Sequence, residues 1–496
     1  MQPIAITIGT GENGNILARA DKTAEKLGNV QLMNFVKIGS TVGRIVRISD
    51  SHDFHTDNAL VNIAKRCLKR RTKPSSETWD MLYKRLEIEP LGTVYDNGEL
   101  TEYEGGIGYF EPVYRAFDKE IGKLYPNDKE GIPIGNIASG YKTTTVLFKL
   151  GLEDSLSLGC AVFGKTGAGK SNLLKELIAS NLELENPVPM LVFGHPDLGV
   201  DNPNGKGTKG LSSLGDDRIV LLGYDRRIKL SPEELSLSDI FDQFEMSTSM
   251  RDLWTHMQMR EPRKYIEILA KYDVNADPYK LHRKQITDPK TRKKTKTVGI
   301  APMPTIDAVS KQARILANYI DSKASPIVSQ ILMELKRGKT VLVNTFNMTE
   351  YYQGLFVKLL LNRLQQAGKH AMHRKVAQRY FVIIDEAQHF IKTTGDKIAE
   401  FVMQCRKFGV TLLLSTQSPA SIPASVYGQI YSTISFHLNK ADLKVLVENA
   451  PLLEDCKAMI LRPPLKKTLG LGIVQAVGYP YPAVIKVSHF ERRFQK

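Results

Sequence analysis

The residues with the clearest chemistry are Gly164-Lys165-Thr166-Gly167-Ala168-Gly169-Lys170-Ser171, which fit the pattern GxxxxGK[ST] at every fixed position. Glycines at these spacings let the backbone curl until several N–H groups converge on one point, at the positive end of the helix that follows. An anion with several oxygens, a di- or triphosphate, suits that nest. Lys170 can reach the β- and γ-phosphates, and the Ser171 hydroxyl can ligate Mg²⁺. Asn172 continues the loop into the helix and is assigned to the same site. With ordinary residue frequencies about 0.02 such matches are expected by chance in a chain of this length. The context fits as well, since the apolar run CAVF precedes the loop and SNLLKELIASNLEL, with helical character, follows it. The expected ligands are ATP and Mg²⁺.

A second constellation lies downstream. Tyr380-Phe381-Val382-Ile383-Ile384 is an apolar strand ending in Asp385-Glu386. Strands of a parallel sheet open at their C-terminal ends onto the ligand crevice, so Asp385 is expected to hold Mg²⁺ through a water. Glu386 is expected to polarise the attacking water, the step that separates hydrolysis from mere binding. The plain alternative is an acidic helix cap where strand gives way to helix. Thr411–Ser415 is a further buried strand, and Gln417 beyond it is the expected sensor of the γ-phosphate, with Thr416 second. Asn439-Lys440-Ala441-Asp442 spells NKxD, the guanine-reading motif of GTPases. The rest of that pattern fails, because Asp385 is followed by Glu-Ala-Gln instead of DxxG and lies far from Lys170 in the chain. NKAD therefore reads as a strand-to-helix turn.

These groups need a scaffold. From about residue 155 the chain alternates strand, Gly-rich turn and helix, the grammar of an α/β fold with a parallel sheet. The expected sheet strands are Leu158–Phe163, Met190–Phe193, Arg218–Leu222, Thr340–Asn344, Tyr380–Ile384, Thr411–Ser415 and Ser432–Leu438. Residues 231–338 show no clean strand and read as a helical insertion, with the basic run His282–Thr297 as a loop inside it. Residues 469–496 read as a β-hairpin followed by a basic tail. Residues 1–115 are β-rich, with short strands at Ile4–Ile8, Val30–Val36 and Val42–Ser49, and predict a small barrel. Helical spacing over Asn58–Leu86 carries a basic cluster from Lys65 to Lys73. Residues 116–154 read as a connector, with Gly and Pro turns and then a strand, TTTVLFKL.

Bulk properties bound the partners. A chain of 496 residues exceeds what one core usually supports. Lys and Arg number 68 against 53 Asp and Glu, a net charge of +15, which favours polyanionic partners such as nucleic acid or an anionic membrane. Cys67, Cys160, Cys405 and Cys456 form no CxxC pair, so neither a zinc site nor a disulfide framework is expected, and a reducing cytoplasm suits them. No signal peptide is legible and no apolar run approaches the ~20 residues needed to cross a bilayer.

Four stretches together resemble the HerA/FtsK branch of P-loop translocases, HerA in particular. They are GKTGAGKSN, IDEAQHF, CRKFGVTLLLSTQSPASIP and GLGIVQAVGYPYPAVIKV. The resemblance implies a RecA-like P-loop core preceded by a HAS-type barrel. It also implies a homo-hexamer that translocates double-stranded DNA, working with a partner nuclease of the NurA kind or with a defence effector. Lys170, Ser171, Asp385, Glu386 and Gln417 keep the roles already argued, and Arg406 aligns with the family's arginine that contacts the γ-phosphate. An ATPase scaffold ring that assembles an effector enzyme is the alternative. Two departures stand out. SLSLGCAVFG holds no arginine before the loop strand, and Gly194-His195-Pro196-Asp197 replaces the family's Asp-Pro-His-Gly.

Overall fold

A computed structural model describes all of the chain except residues 1, 12, 27–29, 54–55, 96–98, 104, 127–129, 203–207, 242–243, 274, 288–293, 375–378, 392–400, 402–403, 464–468 and 496. It divides into two compact units, 1–184 with 415–496, and 185–414.

The first unit begins with a barrel. Its strands are β1 (Ala5–Thr10), β2 (Ile16–Ala20), β3 (Phe35–Ile38), β4 (Thr41–His52), β5 (Leu82–Val94), β6 (Leu100–Thr101) and β7 (Pro112–Arg115). The order β2-β1-β7-β3-β4-β5 closes on itself because β2 also pairs with β5, and β6 extends β5 outside the ring. Alternation drives the closure. Ile16, Ala18 and Ala20 point in from β2, and Leu86 and Ile88 from β5, onto Val36, Ile38, Ile45 and Val113. The helical stretch expected over Asn58–Leu86 is shorter than its spacing suggested. A helix runs Asp57–Arg70, capped by Thr56, a single turn follows at Ser76–Asp80, and Leu82 already begins β5. That first helix buries none of its residues, so its basic cluster lies on a solvated face.

The same unit holds β8 (Gly131–Ser139), β9 (Lys142–Gly151), β10 (Cys160–Phe163), β18 (Ser432–Ser435), β19 (Leu471–Gln475) and β20 (Ala483–Val487), ordered β10-β18-β19-β20-β8-β9. β10 and β18 are parallel and the remaining pairs antiparallel. The stretch that reads as a connector is thus a hairpin built into this sheet, after a short helix at Asp118–Leu124. Its Gly and Pro residues look like turn signals but carry bulges, with register shifts between Pro133 and Gly135. A Cβ at Gly135, whose φ is +157°, would sit 2.3 Å from the Lys486 carbonyl oxygen, so only glycine lets β20 approach. Barrel and sheet are tied by Arg44, fully buried on β4. It pairs with Glu89 at 2.6 Å and donates to the Pro482 carbonyl at 2.5 Å, which also accepts the Tyr125 hydroxyl at 3.0 Å.

The second unit is centred on β11 (Met190–Gly194), β12 (Ile219–Leu222), β15 (Thr340–Asn344), β16 (Tyr380–Ile384) and β17 (Val410–Thr416, whose last two residues belong to the first unit), all parallel in the order β12-β15-β11-β16-β17. β11, β15 and β16 are buried along their whole length, as strands covered on both faces must be, which is why they read as unbroken apolar runs. The expected insertion supplies helices Thr248–Arg260, Tyr265–Ala270, Met303–Ala317 and Ile327–Lys336. Within it, the basic run expected as a loop forms an antiparallel ribbon of β13 (Lys284–Thr287) and β14 (Lys294–Val298). The period-2 pattern Lys-Thr-Lys-Thr-Val suits a ribbon, and its charge hid that pattern. No helix among the described residues is long and apolar enough to cross a membrane.

Candidate nucleotide site

The phosphate loop leaves β10 at Phe163 and enters the helix Lys170–Leu182. Its bend depends on Gly167 at φ +76° and on Gly169 at φ +119°, which caps the helix in a conformation closed to most side chains. Gly164 is needed for space, since a Cβ there would meet the Phe436 Cβ at 2.8 Å. The loop is anchored from both sides: Gly164 N–H donates to the Thr416 carbonyl at 3.3 Å and Lys165 N–H to the His437 carbonyl at 3.0 Å. The first-turn amides of the helix have no intrahelical acceptor and form the anion end. Lys170 is buried, with its ammonium donating to the Gly164 carbonyl at 2.7 Å, folded across the loop it serves. Ser171 is exposed in the first turn. This donor set fits a magnesium-bound triphosphate.

Two further contacts organise the loop. The Thr166 hydroxyl donates to Gln417 Oε1 at 3.1 Å, so the expected sensor touches the loop itself. Thr416, the second choice, is fully buried, and its hydroxyl lies 3.1 Å from the Ser421 hydroxyl. Lys165 pairs with Asp442 at 2.7 Å, and the other Asp442 oxygen accepts the Ser418 hydroxyl at 2.5 Å. Asp442 is positioned by NKAD acting as a cap, with Asn439 Oδ1 accepting the Asp442 N–H at 2.8 Å ahead of the helix Lys440–Asn449. Sequence reasoning found the turn but missed its purpose, which is to hold a loop lysine 277 residues away. The Asn172 side chain is tied to the C-terminal segment. Its amide donates to the Ser488 carbonyl at 2.7 Å and its oxygen accepts the Phe490 N–H at 2.9 Å. The basic tail is docked here as the turn Phe490–Phe494, where Arg493 bonds to Glu176 at 2.9 and 3.1 Å and to Ser180 at 2.9 Å, all on the loop helix.

In the second unit, Asp385 follows β16, is buried, and donates its N–H to the Phe193 carbonyl at 2.8 Å. Glu386 is half-buried with φ +51°, in the left-handed region that a residue with a long side chain seldom enters. Its N–H donates to Asp385 Oδ1 at 3.1 Å and its Oε2 accepts the Gln388 amide at 2.5 Å. Backbone strain of this kind collects at functional positions. Gly194 approaches closely enough that a Cβ there would lie 3.8 Å from the Asp385 Cβ. In the departing stretch after β11, His195 stands edge-on to Phe346 at 4.7 Å, and Asp197 accepts from Asn202 at 3.0 Å. Arg406 is exposed in the turn Arg406–Phe408. Among the described residues no group of three or more His, Cys, Asp or Glu could hold a metal ion.

Residues 132–364, which include the phosphate loop, match the family described as "Helicase HerA, central domain". Over that stretch the chain is similar to HerA-type P-loop ATPases. The chain is 21% identical over 430 residues to a protein of Methanocaldococcus jannaschii described as a "Probable helicase", covering 80% of this chain and 77% of that protein. Among solved structures it is similar to the plasmid coupling protein TrwB in complex with the non-hydrolysable GTP analogue GDPNP. There the TM-score is 0.49 at 12% identity, over 75% of this chain and 93% of that one. VirB4 of Thermoanaerobacter pseudethanolicus gives a TM-score of 0.42 at 13% identity, over 75% and 99%.

Proposed function

We propose that the chain is one subunit of a homo-hexameric ring that hydrolyses ATP to move along double-stranded DNA, working with a nuclease or a defence effector. The observation that carries this reading is the match of residues 132–364 to the HerA helicase central domain around a complete phosphate loop. The net charge of +15 supports a polyanionic track.

In this proposal the loop amides and Lys170 bind and orient the triphosphate, with Ser171 and Asp385 as the residues that would hold Mg²⁺. The ion, when bound, neutralises charge developing on the phosphate oxygens. Glu386 takes the proton of the attacking water, and its strained backbone keeps the carboxylate from relaxing into an ordinary helix-cap position. Gln417 reports the γ-phosphate to the loop through Thr166, and Arg406 contributes positive charge to the transition state. DNA contacts go to backbone phosphates, so binding is tolerant of sequence and steeply dependent on salt.

The test is ATP turnover with and without linear duplex DNA at low salt, together with the mass of the assembled particle. Stimulation by duplex and a six-subunit mass are expected. A monomer whose turnover ignores DNA, with a candidate partner nuclease present or absent, would sink the reading.

A further inference from the structure

The second unit carries a basic cleft that the nucleotide site does not use. It opens at the C-terminal end of β12 and has a volume of about 620 Å³, within the range of ligand sites. Arg226, Arg227, Lys229 and Lys323 line it against one carboxylate, Asp321. Asp321 is committed already: it accepts the Lys323 N–H at 2.9 Å and faces the Lys229 ammonium at 3.5 Å. Among the described residues, Arg226, Arg227 and Lys323 show no side-chain hydrogen bond or ion pair, and all three are exposed.

The cleft is built by the fold. Asn344, at the end of β15, donates its amide to the Gly223 carbonyl at 3.0 Å and fixes the start of the 223–229 loop. Gly223 has φ +80°, and a Cβ there would lie 3.0 Å from the Asn344 carbonyl. The loop's far end is pinned by a bridge between Leu230 and Ile320: Leu230 N–H donates to the Tyr319 carbonyl at 2.9 Å, and Asp321 N–H to the Leu230 carbonyl at 3.0 Å. Ile228 and Leu230 are buried, so Arg227 and Lys229 are turned outward on either side of Ile228. Holding several cations on one anchored loop costs mutual repulsion, and a bound polyanion relieves it. The helix Ile327–Lys336 adds nothing, because its first amides are taken up by Glu234, at 2.7 to 3.2 Å. The basic helix Asp57–Arg70 differs in kind, since it buries none of its residues.

We propose that this cleft binds phosphate oxyanions of a polyanion, and that in the working protein these are consecutive backbone phosphates of duplex DNA. Arg226 and Arg227 supply planar donor forks for phosphate oxygens, Lys323 a point charge, and Gln330 a neutral donor at the rim. The choice of DNA as the source rests on the function proposed above; the anion chemistry does not.

The experiment uses the full chain and a triple variant, R226A/R227A/K323A. A fluorescent duplex is titrated at several salt concentrations. In parallel, inorganic tripolyphosphate is titrated with the phosphate loop saturated by Mg·ADP. The variant should bind duplex at least ~10-fold more weakly near 150 mM salt. The slope of log K against log salt should flatten by about two to three, at roughly 0.9 for each phosphate that is no longer neutralised. ATP turnover without DNA should be unchanged. An unaltered slope, in wild-type protein that does bind duplex, overturns the cleft while leaving the DNA motor standing. If wild-type protein ignores duplex yet binds tripolyphosphate and the variant does not, the cleft stands and the DNA reading falls. Full binding of both ligands by the variant overturns the cleft outright.

Discussion

Lys165 and Asp442 form an ion pair of 2.7 Å that joins the second residue of the phosphate loop to the first turn of a helix 277 residues later. Asp442 is buried and its other oxygen holds Ser418, one residue beyond Gln417. The loop and the sensor strand's end therefore share one carboxylate. Replacing it disturbs both without touching a group that contacts phosphate directly. Asp442→Asn keeps the shape and the capped turn but removes the charge. The KM for ATP should rise about 3- to 10-fold, the effect of losing roughly 1 kcal/mol of charge-assisted contact at a half-exposed lysine. The melting temperature should change by little. An unaltered KM in steady-state kinetics would remove the pair from the site.

Arg493 defines a second tie to the loop helix. Glu176 is buried on that helix, and the two Arg493 bonds to it are its counter-charge. Arg493→Ala leaves that carboxylate uncompensated, a loss of about 3 kcal/mol by the usual cost of breaking one side of a buried pair. Glu176→Gln removes the charge that needs a partner and should cost less than half as much. Thermal or denaturant unfolding of both variants decides the point. Equal losses would mean that packing, not charge, holds the C-terminal turn.

The loop, its strand and its helix were legible because their chemistry leaves few residue types to choose from. Gly167 and Gly169 need positive φ, and Lys170 and Ser171 need their functional atoms. The parallel strands β11, β15 and β16 were legible from unbroken apolar runs. Of the hairpin β8–β9 the second strand was legible as TTTVLFKL, but β8 was not, because Gly131, Pro133 and Gly135 carry turn chemistry inside a strand, and Gly135 leaves the space that the Lys486 carbonyl of β20 occupies. The Asp442 and Asn172 contacts were invisible for another reason. Pairings across 277 and 316 residues leave no local periodicity, and each residue alone looks like an ordinary cap or loop position.

Burial pushes the Cys160 and Cys405 thiols up to about 12 and Cys456 up to about 11. For these three the thiolate, which is the reactive form, is on the order of 0.1% or less at pH 8. Cys67 lies half-buried on the helix Asp57–Arg70, which buries none of its residues. A thiol reagent at pH 8 should therefore titrate one fast group, abolished by Cys67→Ser, and reach the other three only on unfolding. Raising the pH to 9 should increase the slow rate without exposing a second fast thiol, since the raised values stay well above that pH. Three fast thiols in the folded protein would contradict the buried positions.

Glu386 combines a proposed role with a measurable strain. At φ +51° its Cβ crowds the backbone, a cost of roughly 1–2 kcal/mol for most residues and least for asparagine. Two substitutions separate conformation from chemistry. Glu386→Gln keeps the Cβ, the length and a group that can meet Gln388, so stability should hold while turnover falls about 100-fold or more and nucleotide binding persists. Glu386→Asn should lose turnover equally, because the shorter side chain carries no base. It should also gain about 0.5–1 kcal/mol, a rise of roughly 1–4 °C in melting temperature. That opposite movement of stability and activity is what a strained working residue predicts. Full turnover in Glu386→Gln would take the residue out of the mechanism, whereas a lower melting temperature in Glu386→Asn would refute only the strain.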